Sequence, residues 1–399
     1  QVLLVFQNFA REDFRLDGLT ATNVPADTET AKYDLQFGFV EKFDETGALD
    51  GITVSITYAT SLFDESTAEA AGRRLSKVLQ TVAHCPDIEI GEIDLLGPDE
   101  AARLEAWNAT AHPVDSAANL VSMFDRQVAR TPDAIAVVDE ARSLTYREFD
   151  ALVNCTARAL VSMGLRPETT AAVAMNRSID MVVAIYAVVK TGAAYVPVDP
   201  EQPEDRIRRL LEVADPVIVL TRGTDEFALS ASPCKTVRLE DIDLRMWSDQ
   251  PVTDADRSAP LRAGNVAYLV FTSGSTGTPK AIALTHSATA NQLVWAQMRY
   301  PLHEDDAVLH KTPITFDISV WELFWTLQTG ARLVVAEPGG HRDPHYLSAA
   351  IDRFGITTVH FVPSMLNAHA LASGGLGETV RRVFVAGEAL TPAVAERFH

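Results

Sequence analysis

Residues 272–280 read TSGSTGTPK, and this stretch decides how the larger part of the chain is interpreted. It follows the apolar run Ala267–Phe271 and ends at Lys280. Glycines let the backbone turn its N–H groups toward one point, and the Ser and Thr hydroxyls add further donors. The lysine adds a positive charge. The composition predicts a loop that binds a polyphosphate, and an ordinary Ser/Gly turn is the alternative.

The spacing within this loop excludes two common motifs. It is not a Walker A loop, because Lys280 follows Gly277 by three positions and GK[ST] is absent. It is not a nucleophile elbow, because the residue two before Ser275 is Ser273 rather than glycine. A second strand-like run, 281–285, follows the loop. The sequence therefore predicts a strand–loop–strand arrangement without a helix dipole behind the loop.

Composition limits the class of protein. A length of 399 residues is typical of about two to three domains. Hydrophobic residues make up 47% and charged residues 22%, as in a globular protein with a full core. The net charge of −20, without a basic run, argues against a nucleic-acid or anionic-membrane partner. The longest apolar stretch, Met181–Val189, is too short to span a bilayer.

The three cysteines, Cys85, Cys155 and Cys234, are far apart and have no CxxC or His cluster near them. They indicate neither a zinc site nor a disulfide framework, which favours a reducing, cytoplasmic compartment. A charged-then-apolar leader is absent from the sequence. Because Gln1 begins directly in a strand-like run, we expect the chain to start inside a domain.

The first hundred residues predict an α+β unit. Alternation over 33–39 and 52–58, with a turn-rich stretch between them, indicates an antiparallel pair of strands. Ser66 with Glu69 predicts a capping box that opens a helix to about Ala83. Small residues and prolines then lead to a linker at 101–118. The predicted domains are thus 1–100 and 119–399.

From residue 119 onward, helical patterns alternate with short apolar runs, which predicts an α/β core with a largely parallel sheet. Ser178 is expected to cap a helix that ends at Thr191-Gly192. The irregular, polar stretch 224–261 is interpreted as surface. The predicted strands are Ala194–Val198, Val217–Thr221, Tyr268–Phe271, Arg332–Ala336, Thr358–Phe361 and Arg382–Ala386.

This second part resembles the amino-acid adenylation domains of non-ribosomal peptide synthetases, in the adenylate-forming superfamily. Five segments match the family's motifs in order. They are LTYREFD (144–150), KTGAAYVPVDP (190–200), TSGSTGTPK (272–280), FDISVWELFW (316–325) and VAGEAL (385–390). Residues 1 to about 100 resemble the C-terminal end of a condensation domain, through VFQNF (5–9) and ITYATSLFD (56–64). The implied fold is the N-terminal core of an adenylation domain after a condensation-domain fragment.

The chain also departs from the family pattern. Ala281 stands where the family's phosphate loop usually closes with glycine. The sequence ends before the family's adenine-contacting tyrosine motif, its ribose-binding aspartate and the lid with the catalytic lysine. The condensation motif HHxxxDG and the carrier motif GGxS are absent as well. We therefore expect a section of a larger synthetase that is incomplete for turnover by itself.

The resemblance implies that an amino-acid carboxylate attacks the α-phosphate of ATP to give an aminoacyl adenylate. Mg²⁺ is expected with the nucleotide, but the family's usual glutamate ligand falls beyond His399, so no metal ligand is assigned. Gly387 and Glu388 are implied to approach the adenine or the adenylate. The residues implied to hold the phosphates are Thr272, Ser273, Gly274, Ser275, Thr276, Gly277 and Lys280, with Thr272 and Lys280 as the catalytic candidates.

Asp317 is the leading candidate for substrate binding. In the family this aspartate faces the α-ammonium of the amino acid, and a partly buried carboxylate needs such a cationic partner. By itself the sequence equally allows Asp317 to be the N-cap of the helical pattern 320–327. The positions implied to line the side-chain pocket are Ile318, Trp321, His360, Phe384 and Ala386.

This set is similar to serine-activating domains of siderophore synthetases, which usually carry valine at the place of Ile318 and serine at the place of Ala386. His360 could hydrogen-bond a small hydroxyl or amino group. The resemblance thus favours a small polar, serine-like substrate. Without the resemblance, the sequence alone favours ordinary core positions for Ile318, Trp321 and Phe384. It likewise favours a core histidine at His360.

Two other functions remain open at this point. An acyl-CoA synthetase shares the phosphate loop, although Asp317 and the condensation-like segment argue against it. A catalytically incomplete platform that binds carrier domains is the other alternative. The implied partners are a carrier domain, whose phosphopantetheine lies outside this chain, and an MbtH-like protein in some members of the family.

Overall fold

The computed structural model describes residues 1–7, 18, 30–44, 46–223, 225, 234–272 and 279–397. These belong to two compact units, Gln1–Ala111 and His112–His399. The N-terminal unit contains a sheet of the strands β1 (Val2–Gln7), β2 (Leu35–Phe43) and β3 (Leu49–Tyr58), in that order. β1 and β2 are parallel, and β2 and β3 are antiparallel with Phe37 opposite Ile56. The predicted antiparallel pair is therefore confirmed.

Two helices complete this unit, α1 (Glu65–His84) and α2 (Pro98–Asn108). The predicted capping box of Ser66 with Glu69 is wrong. Asp64 occupies the cap position, without a side-chain cap bond, and its carbonyl accepts from the N–H groups of Thr67 and Ala68. Ser66 thus lies inside the first turn, because the acidic residues before it favour a helix start at the positive end of the dipole. α2 covers the beginning of the segment 101–118.

The described residues of the C-terminal unit form two six-stranded sheets. The first has the order β11-β10-β7-β6-β8-β9, in which only the β10–β11 pair is antiparallel. Its strands are β6 (Thr170–Ala174), β7 (Ala194–Val198), β8 (Ile218–Thr221), β9 (Lys235–Arg238), β10 (Val266–Thr272) and β11 (Lys280–Thr285).

The second sheet has the order β15-β14-β12-β13-β4-β5, in which only the β4–β5 pair is antiparallel. Its strands are β4 (Ile135–Val138), β5 (Ser143–Thr145), β12 (Ala307–His310), β13 (Arg332–Val335), β14 (Thr358–Phe361) and β15 (Arg382–Val385). The predicted α/β fold with largely parallel sheets is confirmed.

Helices connect most of these strands, as parallel pairing requires. They are α3 (Leu120–Arg130), α4 (Tyr146–Ser162), α5 (Ile179–Thr191), α6 (Glu204–Ala214), α7 (His286–Arg299), α8 (Ser319–Leu327), α9 (Pro344–Phe354), α10 (Pro363–Ser373) and α11 (Pro392–Glu396). None of the helices in the described part of the chain is long and apolar enough to cross a membrane.

The main core of this unit takes buried side chains from both sheets and from α4, α5 and α8. In α5 every residue except Asp180 is buried, which is why its sequence is apolar on all sides. Its ends are as predicted. The Ser178 hydroxyl accepts from Met181 N–H at 3.2 Å, and Gly192 has φ of +88°, a conformation that glycine adopts without strain.

A buried ion network joins the first two sequence motifs inside this core. The Lys190 ammonium is 2.5 Å from the carboxylate of Asp150 and 2.8 Å from that of Asp125. It also donates to the Asn154 side chain at 2.8 Å and lies over the Phe124 ring. Lys190 is 1% exposed, so its charge depends on these partners rather than on water.

The interpretation of 224–261 as surface needs correction where the structure describes it. Residues 235–238 form β9, an edge strand parallel to β8. Val237, Ile242 and Val252 are buried in the main core. Single apolar residues among polar ones carry no periodicity, which is why the sequence pattern missed their burial.

Candidate functional site

A cavity of about 200 Å³ marks the edge where the carboxyl ends of parallel strands from both sheets converge. Its lining comes from the segments after β6, β7, β12 and β13. Ligand sites in open α/β sheets lie at this edge, because the loops that follow parallel strands meet there. Pro313 to Thr315, which also line the cavity, lead directly to Asp317.

Charged side chains of both signs line this cavity, among them Arg177, Asp199 and His341. The Arg177 guanidinium donates to the backbone carbonyls of Lys311 and Glu337. Arg177 thereby links the segments after β12 and β13 of the second sheet to the segment after β6 of the first sheet. Burial lowers the pKa of His341 to about 4, with a further contribution from the charge of Arg177, so His341 is neutral near pH 7.

The predicted phosphate loop joins two antiparallel strands, which confirms the strand–loop–strand prediction. Thr272, the last residue of β10, lies opposite Lys280, the first residue of β11, and both are exposed. The two ends of the loop are therefore close together and open to solvent. The other predicted phosphate-binding residues lie outside the described residues: Ser273, Gly274, Ser275, Thr276 and Gly277.

Asp317 lies in the turn before α8, and its environment corrects two expectations. The N-cap of α8 is Ile318, without a side-chain cap bond, so the alternative of Asp317 as N-cap is wrong. Asp317 is also exposed rather than partly buried, because it lies in the turn before α8 and not on the buried face of that helix. Within the described residues its carboxylate forms no hydrogen bond or ion pair.

The position of Asp317 relative to the first sheet follows from Tyr268 on β10. Burial raises the pKa of the Tyr268 phenol, and the negative charge of Asp317 raises it further. Asp317 therefore lies close enough to β10 for its charge to act there. β10 is also the strand that leads into the predicted phosphate loop.

The structure brings three predicted pocket residues, Trp321, His360 and Phe384, into one aromatic cluster. His360 on β14 is the register partner of Phe384 on β15. The Trp321 ring on α8 lies 5.1 Å from the Phe384 ring and 6.4 Å from the His360 ring, measured between centroids. Trp325 and Tyr300 also pack against Phe384, with ring centroids 5.9 and 5.4 Å away.

These positions are not ordinary core in every case. Trp321 and Phe384 are only partly buried and pack against the main core, whereas His360 is buried at 3% exposure. Ile318 is partly buried, and Ala386, one residue beyond β15, is exposed. His360 is thus the buried, polar member of the cluster.

A buried polar network that the sequence reasoning missed lies behind His360. Glu322 on α8 is fully buried and accepts hydrogen bonds from His310 Nδ1 at 2.8 Å and from the Thr312 hydroxyl at 2.6 Å. The Thr312 hydroxyl is also 3.4 Å from His360 Nδ1. A glutamate on the apolar face of a helix is the signal that could have indicated this network, because such a residue needs buried donors.

The pKa values in this network follow from burial and from these bonds. Burial by itself raises the pKa of Glu322, but the hydrogen bonds from His310 and Thr312 and the charge of Lys311 oppose it and hold the pKa below its usual value. Burial lowers the pKa of His310 and of His360. Glu322 is therefore ionised and both histidines are neutral near pH 7.

Lys311 is a second residue whose surroundings the sequence left open. Its ammonium lies 4.4 Å from the centroid of the Phe361 ring, and burial lowers its pKa to about 8. His310 thus acts on Glu322 through a hydrogen bond, and Lys311 acts on it through its charge.

Gly387 and Glu388 follow β15 at the same edge of the sheet. Gly387 has φ of +92°, and a Cβ there would lie 3.1 Å from Val362 Cγ1. The Glu388 carboxylate accepts from the backbone N–H of Ser364 at 2.9 Å and from its hydroxyl at 3.0 Å. It thus satisfies donors at the first turn of α10.

The described residues contain no group of three or more His, Cys, Asp or Glu side chains that could hold a metal ion. Cys85 and Cys155 are free thiols. The described side chains of the site offer charge, hydrogen bonding and an aromatic cluster.

Comparisons with known proteins match both parts of the chain. The profile of AMP-binding enzymes matches residues 124–399, and that of condensation domains matches residues 1–105. Phosphinothricin tripeptide synthetase PhsB of Streptomyces viridochromogenes is 39% identical over 100% of this chain and 34% of its own length. Enterobactin synthase component F of Escherichia coli K12 is 36% identical over 85% of this chain and 26% of its own length. The chain thus spans about a third or less of these curated relatives.

Solved structures of the nonribosomal peptide synthetase FmoA3 have a similar fold. The match to one of these structures covers 96% of this chain and 41% of the FmoA3 chain, with 27% identity and a TM-score of 0.81. FmoA3 has also been solved in an AMPPNP-bound form, with a TM-score of 0.81, and in an α-methyl-L-serine-AMP-bound form, with a TM-score of 0.79. The fold and the sequence therefore match the same class of enzyme.

Proposed function

The chain belongs to the AMP-binding enzymes, as a condensation-to-adenylation segment of a nonribosomal peptide synthetase, and we propose that it activates a small polar, serine-like amino acid with ATP. A carboxylate oxygen of the amino acid bonds to the α-phosphorus while the bond from that phosphorus to pyrophosphate breaks. The products are an aminoacyl adenylate and pyrophosphate. One observation carries this proposal: Trp321, His360 and Phe384 meet in one cluster, on and beside the helix that Asp317 precedes.

We assign the nucleotide to the loop between β10 and β11. Phosphoryl transfer depends on positioning and on neutralising charge more than on a covalent nucleophile. Thr272 and Lys280 stand at the two ends of the loop and are exposed, so both can reach a bound polyphosphate. Ser273, Ser275 and Thr276 would add donors, with Gly274 and Gly277 shaping the turn. Mg²⁺ would arrive with ATP, and we assign no described residue as its ligand.

Asp317 would bind the α-ammonium of the amino acid. Its carboxylate is exposed and without a partner among the residues that the structure describes, so a cationic ligand meets no competing ion pair. A charge-assisted hydrogen bond of this kind contributes about 1.5–3 kcal/mol. The substrate carboxylate would then lie toward β10 and the phosphate loop, the side on which the charge of Asp317 acts.

The side chain of the amino acid would enter the aromatic cluster. Trp321 and Phe384 would enclose it, and His360 would supply a buried polar group. Ile318 and Ala386 would flank it, and Gly387 and Glu388 would lie near the adenylate. The proposal of a serine-like substrate is supported by FmoA3, a similar protein that has been solved with α-methyl-L-serine-AMP.

The activated amino acid would then pass to the phosphopantetheine thiol of a carrier domain outside this chain. The thiol sulfur bonds to the carbonyl carbon, and AMP leaves. An MbtH-like protein is a further proposed partner. These steps concern the whole synthetase, of which this chain is about a third or less in the relatives compared.

The test is amino-acid-dependent ATP–pyrophosphate exchange by the full-length protein that carries this segment, across a panel of amino acids. We expect strong exchange with L-serine or L-2,3-diaminopropionate. Exchange only with carboxylic acids that lack the α-amine would refute the role of Asp317 and favour acyl-CoA synthetase-type activation. Nucleotide binding without any exchange would favour a platform that only binds carrier domains.

A further inference from the structure

We propose that Thr312 and Glu322 are positioning residues that make His360 a hydrogen-bond acceptor, so that the pocket selects a side chain carrying a hydrogen-bond donor. The inference rests on the proposed function, because it takes the aromatic cluster as the substrate side-chain pocket. It adds the direction of the hydrogen bond at His360, and with it the chemical class of side chain that fits.

The direction of each bond follows from counting protons, beginning at Glu322. An ionised carboxylate only accepts hydrogen bonds. Glu322 Oε2 accepts from His310 Nδ1 at 2.8 Å and from the backbone N–H of Thr312 at 3.2 Å, and its Oε1 accepts from the Thr312 hydroxyl at 2.6 Å. All three residues, His310, Thr312 and Glu322, are buried.

The Thr312 hydroxyl has one proton, and it donates this proton in the hydrogen bond to Glu322. The oxygen can therefore only accept from its other neighbour, His360 Nδ1, at 3.4 Å. This bond is long and therefore weak. Thr312 cannot instead donate to His360, because its only hydroxyl proton is donated to the ionised Glu322. His360 thus carries its proton on Nδ1.

The second nitrogen of His360 is then a bare acceptor. Burial lowers the pKa of His360, so the neutral ring holds a single proton, the one on Nδ1. His360 Nε2 is buried and has no hydrogen-bond partner in the described part of the chain. The charged groups that act on this ring are Glu322 and Lys311, and the rings facing it include Trp321. A buried acceptor without a partner favours a ligand that brings a donor.

Because His360 Nε2 accepts a hydrogen bond, the pocket distinguishes amino acids of similar size by whether their side chain carries a donor. L-Serine and L-2,3-diaminopropionate carry an O–H or N–H donor on the β-carbon. L-Alanine carries no polar group, and L-β-cyanoalanine carries only an acceptor. Sites built to bond a substrate hydroxyl reject analogues that lack it strongly, because the buried group of the site is then left unpaired.

The first experiment uses the unmodified full-length protein and needs no variant. We expect kcat/KM for ATP–pyrophosphate exchange to be at least about 100-fold higher with serine than with alanine or β-cyanoalanine. Exchange in which alanine or β-cyanoalanine equals serine would overturn the inference while leaving the proposed function intact. Absence of exchange with every amino acid would overturn the proposed function itself, and the inference with it.

The second experiment tests Thr312 as the residue that sets the tautomer. Thr312→Val keeps the shape but removes the acceptor for Nδ1–H, and we expect the serine-to-alanine ratio of kcat/KM to fall about 3- to 10-fold. Thr312→Ser restores the hydroxyl and should restore the ratio. Thr326→Val is the matched control, because the buried Thr326 hydroxyl, on α8 with Glu322, donates to the backbone carbonyl of Glu322 and not to its carboxylate.

The outcome is decided by the ratio rather than by activity alone. A loss of packing lowers exchange with both substrates together, and a changed tautomer lowers the ratio. An unchanged ratio in Thr312→Val, or an equal fall in Thr326→Val, would contradict the role of Thr312. If Thr312→Val does not fold, as seen by circular dichroism, the substrate panel on the unmodified protein still decides the direction of the bond.

Discussion

Replacement of Lys190 by methionine is the perturbation whose cost follows most directly from the structure. The Lys190 ammonium lies 2.5 Å from the Asp150 carboxylate and 2.8 Å from the Asp125 carboxylate, at 1% exposure. Methionine retains most of the aliphatic volume, so the variant removes the charge without opening a large cavity. The buried carboxylate of Asp150 and the partly buried carboxylate of Asp125 are then left without their cation.

The expected loss is about 3–5 kcal/mol in the free energy of unfolding, the usual cost of breaking a buried ion pair from one side. For a unit of this size, a loss of about 1 kcal/mol in the free energy of unfolding lowers the thermal unfolding midpoint by about 2 °C. The midpoint should therefore fall by about 6–10 °C. Arg147→Met is the matched control. Arg147 forms an exposed ion pair with Asp133 at 3.0 Å, and its removal should cost less than about 1 kcal/mol.

The pH dependence provides an independent check. Burial raises the pKa of Asp125 in the folded protein, and the charge of Lys190 opposes that rise. Without Lys190 the folded pKa of Asp125 rises further above its unfolded value. A carboxyl with a raised folded pKa stabilises the fold at low pH and loses that contribution as pH rises through the folded pKa. The variant should therefore lose about 1 kcal/mol more at pH 8 than at pH 5.

The assay is thermal and urea-induced unfolding of the full chain, followed by circular dichroism at pH 5 and pH 8. Addition of Asp150→Asn to Lys190→Met should recover part of the loss, because it removes the carboxylate nearest to the missing ammonium. A loss in Lys190→Met no larger than that in Arg147→Met would refute the buried network as a source of stability. A larger loss at pH 5 than at pH 8 would refute the sign of the pH argument.

Three further predictions concern the site and its supports. Asp317→Ala should lower kcat/KM for amino-acid-dependent exchange in the full-length protein about 10- to 100-fold, with the unfolding midpoint unchanged; equal exchange would contradict ammonium binding. Burial lowers the pKa of His286, which accepts from Leu120 N–H, to about 4, so the fold should lose up to about 3 kcal/mol as pH falls from 6.5 to 4. His286→Gln should flatten that loss in unfolding titrations, and an unchanged acid limb would contradict it. Gly387→Ala should cost about 1–2 kcal/mol in urea unfolding, because of its φ of +92° and the 3.1 Å approach to Val362; no cost would show that the turn relaxes.

Local patterns were sufficient where a residue acts on its own neighbours. The Ser178 cap, the Gly192 turn and the strand–loop–strand arrangement around Thr272 are all confirmed, because each depends on bonds or dihedral angles within a few residues. The same local reasoning was wrong for the capping box at Ser66 and for Asp317 as an N-cap. In both places a nearby residue starts the helix, and sequence alone does not rank such neighbours.

The buried polar residues show the opposite case. His310, Thr312 and Glu322 are separated along the chain by up to 12 positions, and Lys190 is 40 positions from Asp150. No periodicity links such residues. Their pairing depends on which strand lies beside which, and on the helix that covers them.

The sequence by itself determined the α/β class, the order of the motifs and the residue types at the site, because those follow from periodicity, turn chemistry and the resemblance to adenylation domains. Only the tertiary structure decided that His360 and Phe384 are register partners, that Trp321 meets both, and that Thr312 stands between Glu322 and His360. Strand order and helix placement are set by the burial of the whole core, and hydrogen-bond directions follow only when each buried donor and acceptor has its neighbours.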